Sequence, residues 1–169
     1  MSQLLENGFS PIQLNLSEAW QKFTLKKRYE DLERLLSEDL RTQGEISTLI
    51  HKVFKQLDLP GSPEIEHMLA LRQGPEDEEF EGIWHDDSSR HFAISLSLTP
   101  EAHQIEGGQL EIRSFAHKDK VISISGSREF GQACVFLTGK YGFEHRTRRV
   151  TSGNRLVLVL WVTANQSSE

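Results

Sequence analysis

The segment HRTRRVTSGNRLVLVLWV, residues 145–162, carries the strongest structural signal in this 169-residue chain. Its second part, residues 156–162, is apolar and uncharged, as expected of a β-strand that is buried on both faces. Just before it, the Ser-Gly-Asn sequence at 152–154 predicts a turn that brings Arg155 back beside the face of His145. We therefore expect a buried strand with a histidine and an arginine near its start.

Short strand-like runs fill the rest of the chain beyond Pro63. They are separated by Gly-rich or charged segments, and the acidic segment at 75–79 is expected to be an exposed loop. The runs are residues 68–71, 80–85, 91–98, 109–112, 121–125, 133–137 and 155–162. Their number and spacing favour a closed barrel or a two-sheet jelly roll, because a parallel sheet would need crossover helices between its strands.

Two segments in the first third of the chain have the periodicity of amphipathic helices. In residues 17–41, apolar side chains recur at mostly helical spacing, and Asn15 or Ser17 can cap the start of the helix. A second stripe runs through 46–57 and stops before the Pro-Gly pair at 60–61. Such stripes are usually packing faces, so we expect these helices to support the sheet.

These patterns predict a fold of the α+β class, mainly β. With 169 residues, the chain is long enough for one core with a ligand pocket and too short for two enzymatic domains. We expect a single domain over residues 1–169. Helices would support it at about 15–60, and a double-stranded β-helix, a cupin-like jelly roll, would form its core at about 64–164.

Composition and charge restrict the classes of function. The chain is 37% hydrophobic and 26% charged, as expected of a folded globular protein. Its net charge of −6 argues against a nucleic-acid partner, because such binders concentrate positive charge. We interpret the arginines at 146, 148 and 149 as a solvated rim, although they could also form a local basic patch. No oligomeric state is indicated.

The cysteine count and the N-terminal sequence favour a cytoplasmic protein. Cys134 is the only cysteine, so no intramolecular disulfide can form, and its apolar neighbours predict a buried, inert thiol. Residues 1–10 lack the basic flank and apolar stretch of a signal peptide. No segment approaches the length of apolar sequence that spans a membrane, so we expect no membrane partner.

Two histidines and one aspartate form a candidate metal site. In the Trp-His-Asp-Asp sequence at 84–87, His85 and Asp87 would point to the same face of an extended strand. His145 follows 60 residues later and can come alongside from a distant strand. Two imidazoles and one carboxylate are the facial triad of non-haem iron sites. A second His-x-Asp sequence, at 117–119, lies in a polar turn and is expected not to bind the metal.

Three motifs follow one another along the chain: His85-x-Asp87, the Glu-Gly-Gly-Gln-Leu sequence at 106–110, and His145-x9-Arg155. In this combination and order they resemble the 2-oxoglutarate and Fe(II)-dependent dioxygenase superfamily, specifically its prolyl 4-hydroxylase-like branch. The resemblance covers about residues 68–163. It implies that His85, Asp87 and His145 are catalytic iron ligands, and that the planar guanidinium of Arg155 binds the distal carboxylate of 2-oxoglutarate.

The resemblance also implies a hydroxylase. Its cofactors would be Fe(II), the co-substrate 2-oxoglutarate and O2, and ascorbate could be an additional reductant. Decarboxylation of 2-oxoglutarate to succinate would be coupled to hydroxylation of a substrate C–H bond. Because Asp87 is a carboxylate, no position is vacant for a halide, so hydroxylation is favoured over halogenation. Family members often have a co-substrate-binding tyrosine near the His-x-Asp strand. Here Gln73 or Ser97 is the candidate donor in its place.

Alternative functions and the substrate stay open at the level of sequence. The same jelly roll could be a non-catalytic metal-binding or sensing module, or a cupin-type enzyme with another metal, although a metal-only site has no need of Arg155. The spacing of Arg149 and Arg155 disfavours the nucleic-acid demethylase branch. The substrate would be a protein side chain, such as a prolyl ring, or a small molecule. Trp84 and Arg90 are candidate contacts at the rim of the iron entrance.

Overall fold

The computed structural model of the protein describes residues 2–75 and 82–165. In this part of the chain the α-helices are α1 (Ser2–Asn7), α2 (Glu18–Leu25), α3 (Tyr29–Thr42) and α4 (Glu45–Gln56). The strands are β1 (Phe9–Gln13), β2 (Ser62–Gly74), β3 (Phe92–Ser97), β4 (Glu106–Gly107), β5 (Leu110–Ser114), β6 (Ile122–Ile124), β7 (Gln132–Leu137), β8 (Phe143–Thr147) and β9 (Val150–Asn165).

The strands form two antiparallel sheets packed face to face. The large sheet has the order β1-β7-β3-β9-β2, and β4 pairs with the first residues of β9. The small sheet has the order β6-β5-β8. Neighbouring strands in the large sheet are distant in sequence, because the chain repeatedly crosses to the small sheet and back. This is a double-stranded β-helix, and the predicted fold class is confirmed.

The central strands of the large sheet are buried on both faces. Alternate residues of β9, such as Leu158 and Leu160, join the core between the sheet and the helices. The opposite face of the large sheet packs against the small sheet, where Phe136 of β7 contacts Leu110 and Ile112 of β5. Full burial of one aliphatic side chain contributes about 1.5–3 kcal/mol. Burial on both faces explains why β9 reads as a continuous apolar run.

The helices cover the outer face of the large sheet. Trp20 of α2, Leu32 of α3 and Ile50 of α4 are all buried in the core that these helices share with β3, β7 and β9. The predicted second helix is confirmed as α4. Among the helices of residues 2–75 and 82–165, none has the length and hydrophobicity needed to cross a bilayer.

The single helix predicted over 17–41 is wrong, because the chain breaks it into α2 and α3. Ser17 is the N-cap of α2, but its side chain makes no capping hydrogen bond. After α2 the backbone leaves helical geometry, and Lys27 has a φ of 52°. Residues 25–28 are exposed, so no apolar side chain there holds a continuous helix against the sheet.

The turn predicted at 152–154 does not reverse the chain. The strand Val150–Asn165 continues through it, and the antiparallel pairing with residues 106–114 continues from β8 into β9, so the chain keeps its direction there. Gly153 has a φ of 80°, and a Cβ there would lie 2.6 Å from the carbonyl oxygen of Gln104. Glycine therefore allows a close backbone approach within one continuous strand, and Arg155 reaches its position along that strand.

The segment before the metal site differs from a regular strand. Residues 76–81 lie outside the described part, and they include most of the acidic segment at 75–79 and the start of the run at 80–85. Between residue 82 and the start of β3, the described chain forms no strand and has one isolated antiparallel bridge, from His85 to His145. The sequence patterns also miss β1 and β8, because β1 contains a proline and β8 carries charged side chains.

The thiol of Cys134 is buried between the two sheets. The residue is 1% exposed and belongs to the cluster that joins β7 to the small sheet. Burial raises the pKa of the thiol to about 12, against a smaller opposite effect of the nearby Arg128. The predicted burial of Cys134 is confirmed, and its low reactivity stays a prediction.

Candidate functional site

Two histidines from distant parts of the chain face each other across an antiparallel bridge. The amide of His85 donates to the carbonyl oxygen of His145 at 3.0 Å, and the amide of His145 donates back at 2.8 Å. Their ring centroids are 4.3 Å apart. The backbone pairing therefore sets the distance between the two rings, with β8 of the small sheet holding one of them.

Asp87 brings a carboxylate to the same two rings. Its φ of 56° lies in the left-handed region, which aspartate tolerates better than most residues. Oδ1 lies 3.7 Å from Nε2 of His85, and Oδ2 lies 3.4 Å from Nε2 of His145. A turn, and not the strand alternation expected from the sequence, thus places His85 and Asp87 together. Asp86 points away, as predicted, and its Oδ1 accepts a hydrogen bond from the amide of Ser88.

Each histidine has its Nε2 near the carboxylate of Asp87. Nδ1 of His85 lies 3.0 Å from the carbonyl oxygen of Ile83, which fixes the orientation of the ring. His145 is 5% exposed, and burial, followed by the charge of His85, lowers its pKa to about 3. Its imidazole is therefore neutral at neutral pH, which is the form that binds a metal ion.

Two aromatic side chains of the large sheet complete the walls of the site. The indole Nε1 of Trp161 donates a hydrogen bond to Oδ2 of Asp87 at 2.9 Å. The ring of Phe136 packs edge-on against His145, with centroids 4.7 Å apart. The apolar wall restricts the imidazole, and the indole restricts the carboxylate. Contacts of this kind orient metal ligands and tune their affinity.

Arg155 lies on the same face of β9 as Trp161, because alternate residues of a strand share a face. It is 3% exposed, and within the described ranges no residue forms a hydrogen bond or an ion pair with its guanidinium. Burial, then Arg128, then Arg72 lower its pKa to about 9, so it remains charged at neutral pH. A buried charge without a counter-charge is unfavourable, so this position is suited to an anion.

The Gly-Gly pair of the sequence motif lies against this arginine. A Cβ on Gly108 would be 2.8 Å from Cδ and 3.1 Å from Nε of Arg155. A Cβ on Gly107 would be 2.1 Å from the carbonyl oxygen of Arg149. The glycines therefore permit β4 to pass close to the start of β9, and the motif has a steric explanation.

The two predicted replacements for the tyrosine have other partners. Gln73 lies on the helix side of β2, opposite to the face of Arg155, and its amide donates to Oδ1 of Asn154 at 2.9 Å. The structure therefore does not bring Gln73 to the anion position. Ser97 is buried on the inner face, but its hydroxyl donates to the carbonyl oxygen of Arg128 at 2.7 Å. Its proton is thus already engaged.

The other residues singled out in the sequence lie around the site. Trp84 contacts two guanidinium groups, those of Arg113 at 3.9 Å and Arg146 at 4.7 Å from its ring centroid. Arg146 also pairs with Glu111 at 2.7 Å, so its charge is balanced. The His-x-Asp sequence at 117–119 is exposed in a turn and is not part of the metal cluster.

Arg90 connects the rim to the metal centre. It pairs with Glu66 at 2.5 Å, stacks on Trp161 with 5.1 Å between guanidinium and ring centroid, and lies 3.9 Å from Oδ1 of Asp87. Sequence patterns identified Arg90 as a rim residue but missed Trp161. Alternation from Arg155 along β9 could have found it, because the two residues are six positions apart on one face.

The donor set fits a ferrous ion. The ligand atoms of His85, Asp87 and His145 all lie within 4.8 Å of one another. Two imidazoles and one carboxylate match the donor set of the facial triad of non-haem iron sites. Arg155 adds a buried cation on the inner face of the large sheet, the face that also carries Trp161.

Comparisons with known proteins find similar folds among solved structures. Neither the comparison with models of protein families nor that with curated proteins finds a match. Among solved structures, a prolyl 4-hydroxylase from Pseudomonas putida superposes with a TM-score of 0.69 at 19% identity, over 98% of this chain and 92% of that one. The α-ketoglutarate-dependent carbocyclase SnoK of nogalamycin biosynthesis gives 0.67 at 12% identity, over 96% and 82%.

A third similar structure is a prolyl hydroxylase from Trichoplax adhaerens in complex with a fragment of the hypoxia inducible factor oxygen degradation domain. Its TM-score is 0.61 at 17% identity, over 99% of this chain and 90% of that one. The likenesses extend over almost the whole chain, helices included. The resemblance inferred from three motifs is thus confirmed at the level of the fold, which is that of 2-oxoglutarate and Fe(II)-dependent oxygenases.

Proposed function

We propose that this protein is an Fe(II)- and 2-oxoglutarate-dependent dioxygenase that hydroxylates a C–H bond of its substrate. The observation that carries the proposal is the arrangement of two sites on one inner face. One site is the triad of His85, Asp87 and His145, and the other is the buried, uncompensated guanidinium of Arg155. A metal-binding module without co-substrate would require the first site and leave the cost of the second unexplained.

The residues of this chain have distinct tasks in such a reaction. His85, Asp87 and His145 would bind the ferrous ion, and Arg155 would bind the distal carboxylate of 2-oxoglutarate. When bound, iron and 2-oxoglutarate supply the chemistry: O2, 2-oxoglutarate and a substrate C–H give succinate, carbon dioxide and the hydroxylated carbon. The protein contributes orientation and exclusion of water, for example through Phe136 against His145.

Substrate would approach from the side of His85. The side chain of His85 is 48% exposed, whereas those of His145 and Asp87 are 7% and 8% exposed. Ile83, two residues before it in sequence, is 81% exposed and is the most exposed large apolar residue of the described part. The open side of the iron site therefore faces solvent beside an apolar side chain, which suits contact with a substrate.

The substrate class is a protein side chain, such as a prolyl ring, or a small molecule. The first is supported by the likeness to prolyl hydroxylases, one of which holds a peptide fragment, and the second by the likeness to a carbocyclase. A reducing compartment such as the cytoplasm suits both ferrous iron and the unpaired thiol of Cys134.

Turnover of 2-oxoglutarate without added substrate tests the proposal. The protein, purified without oxygen, is mixed with Fe(II), ascorbate, O2 and 2-oxoglutarate labelled at C1, and release of labelled carbon dioxide is followed. We expect slow release that requires both iron and O2. Adding proline-containing peptides or candidate small molecules should accelerate it for the correct class.

Matched variants identify the residues responsible. Asp87→Asn should abolish release, whereas Asp86→Asn should retain it, because Asp86 points away from the triad. If the wild-type protein binds Fe(II) but neither binds nor turns over 2-oxoglutarate, the non-catalytic metal-binding module is correct and the enzyme proposal is wrong.

A further inference from the structure

A second arginine lies buried between the two sheets, and the metal site does not use it. Arg128, in the loop between β6 and β7, is 6% exposed. Its NH1 donates to the carbonyl oxygen of Ser95 at 2.5 Å, and its NH2 donates to the hydroxyl of the same serine at 2.6 Å. Its Nε has no partner within the described ranges. The guanidinium is therefore held in place with donor capacity to spare.

The backbone of Arg128 is anchored to the inner face of the large sheet. Its carbonyl oxygen accepts the hydrogen bond of Ser97, the residue predicted to bind the co-substrate directly. Ser95 and Ser97 alternate with fully buried apolar residues of β3, and both point toward the small sheet. The loop thus lies across the inner face, with its side chain extending from the level of Ser97 to that of Ser95.

The same loop approaches the start of β9 through the glycine motif. A Cβ on Gly126 would lie 1.9 Å from the carbonyl oxygen of Gly107, so the loop packs directly on β4. On the adjacent residue, a Cβ of Gly108 would lie 2.8 Å from Cδ of Arg155. The Gly-Gly pair is therefore the point where the loop of Arg128 and the side chain of Arg155 converge.

The strand register orders these groups along the inner face. Ala93 is in register with Trp161, which contacts the metal ligand Asp87, and Ser95 is in register with Val159. Two residues of strand correspond to about 7 Å. Ser95, which binds the guanidinium of Arg128, therefore lies about 7 Å along the sheet from the position of Trp161, in the direction of Arg155. This distance is comparable to the length of a short dicarboxylate.

The two guanidinium groups lack a counter-charge. Within the described ranges no carboxylate forms an ion pair with Arg128 or Arg155, and the charge of Arg128 contributes to lowering the pKa of Arg155. Two buried like charges destabilise a fold unless an anion compensates them. The cluster is thus arranged to be neutralised by a ligand.

We propose that Arg128 and Arg155 together form a two-arginine site for the distal carboxylate of 2-oxoglutarate, with Arg128 in place of the missing tyrosine. The inference rests on the proposed function and extends it, because it assigns a second cation to the co-substrate and gives Ser95 and Ser97 the role of positioning that cation. Two guanidinium groups would make the site selective for a dicarboxylate over a keto acid with one carboxylate.

Binding of two keto acids to the Mn(II)-loaded protein tests the inference without turnover. Calorimetric titration compares 2-oxoglutarate with 2-oxovalerate, which has the same carbon chain but no distal carboxylate. We expect Arg128→Gln to weaken 2-oxoglutarate binding about 10- to 100-fold, as the loss of a charged hydrogen bond predicts. Binding of 2-oxovalerate and Mn(II) should be unchanged, and Arg128→Lys should restore part of the loss.

A milder variant covers the case in which Arg128→Gln does not fold. Ser95→Ala removes only the hydroxyl that accepts from NH2 of Arg128, and it should weaken 2-oxoglutarate about threefold while sparing 2-oxovalerate. Unchanged 2-oxoglutarate binding in the folded variants would overturn the role of Arg128 and leave the proposed function intact. Equal weakening of both keto acids would also overturn it. A wild-type protein that binds Mn(II) but not 2-oxoglutarate would overturn both proposals.

Discussion

The indole nitrogen of Trp161 donates a hydrogen bond to Oδ2 of Asp87 across 74 residues of sequence. This contact joins the carboxylate of the candidate metal site to β9, an interior strand of the large sheet. Asp87 lies in a turn with left-handed backbone, and its other polar neighbours, the nearest atoms of His85, Arg90 and His145, are 3.4–3.9 Å away. The orientation of the carboxylate therefore depends on β9, the strand that also carries Arg155.

Removal of this hydrogen bond should weaken metal binding without unfolding the protein. We expect Trp161→Phe to lower Fe(II) affinity by about tenfold or more, because partners that orient a ligand typically contribute 10- to 100-fold. The phenyl ring keeps the packing between the sheets. Trp84→Phe is the matched control, since Trp84 stacks on Arg113 and Arg146 and does not touch the triad. Equal Fe(II) affinities of the two variants, measured by anaerobic chelator competition, would contradict the assigned role.

Loss of a ligand should have a larger effect than loss of its partner. We expect Asp87→Asn to reduce Fe(II) affinity more than about 100-fold, because the metal loses its only anionic protein ligand. The same titration on His117→Ala should give wild-type affinity, since His117 is exposed in a turn away from the cluster. A loss of metal in His117→Ala would mean that the wrong His-x-Asp sequence has been assigned.

Two glycines allow steric contact to be separated from backbone conformation. Gly153 and Gly142 have nearly equal φ values, 80° and 79°, so alanine at either should cost about 1–2 kcal/mol from left-handed geometry. At Gly153 a Cβ would also lie 2.6 Å from the carbonyl oxygen of Gln104, whereas no described atom lies within 4 Å of a Cβ at Gly142. We expect Gly153→Ala to lower the free energy of unfolding in urea by at least about 1 kcal/mol more than Gly142→Ala.

The thiol of Cys134 should be unreactive in the folded protein. Burial raises its pKa to about 12 from a usual value of 9.0, so the reactive thiolate is scarce at pH 8 and sterically protected. The rate at which a thiol reagent labels the native protein should not exceed the rate of unfolding. In urea the same reagent should label one thiol per chain immediately. Because the folded pKa is the higher one, stability from this group is complete below pH 9. It declines as pH rises from 9 toward 12.

The elements that sequence patterns predict well are those whose signal is local. The apolar run at 156–162 and the stripe at 46–57 reflect burial on both faces and on one face respectively, and both appear as β9 and α4. The stripe over 17–41 was misleading, because helical spacing continued through residues whose side chains have nothing to pack against. The break at Lys27 allows α2 and α3 to take separate directions, so that each packs its apolar side chains into the core beside the large sheet.

The sequence by itself predicted the fold class and the candidate metal donors that the structure brings together. Strand periodicity follows from local backbone geometry. The combination of His85-x-Asp87 with His145-x9-Arg155 is specific, because these motifs must occur in this order along the chain to meet in a double-stranded β-helix. Only the tertiary structure decided which side chains support those donors. Gln73 faces the helices, whereas Trp161 binds Asp87 and the guanidinium of Arg128 is buried against Ser95. Strand register and loop packing determine these positions through contacts between residues far apart in sequence, and local patterns do not encode such contacts.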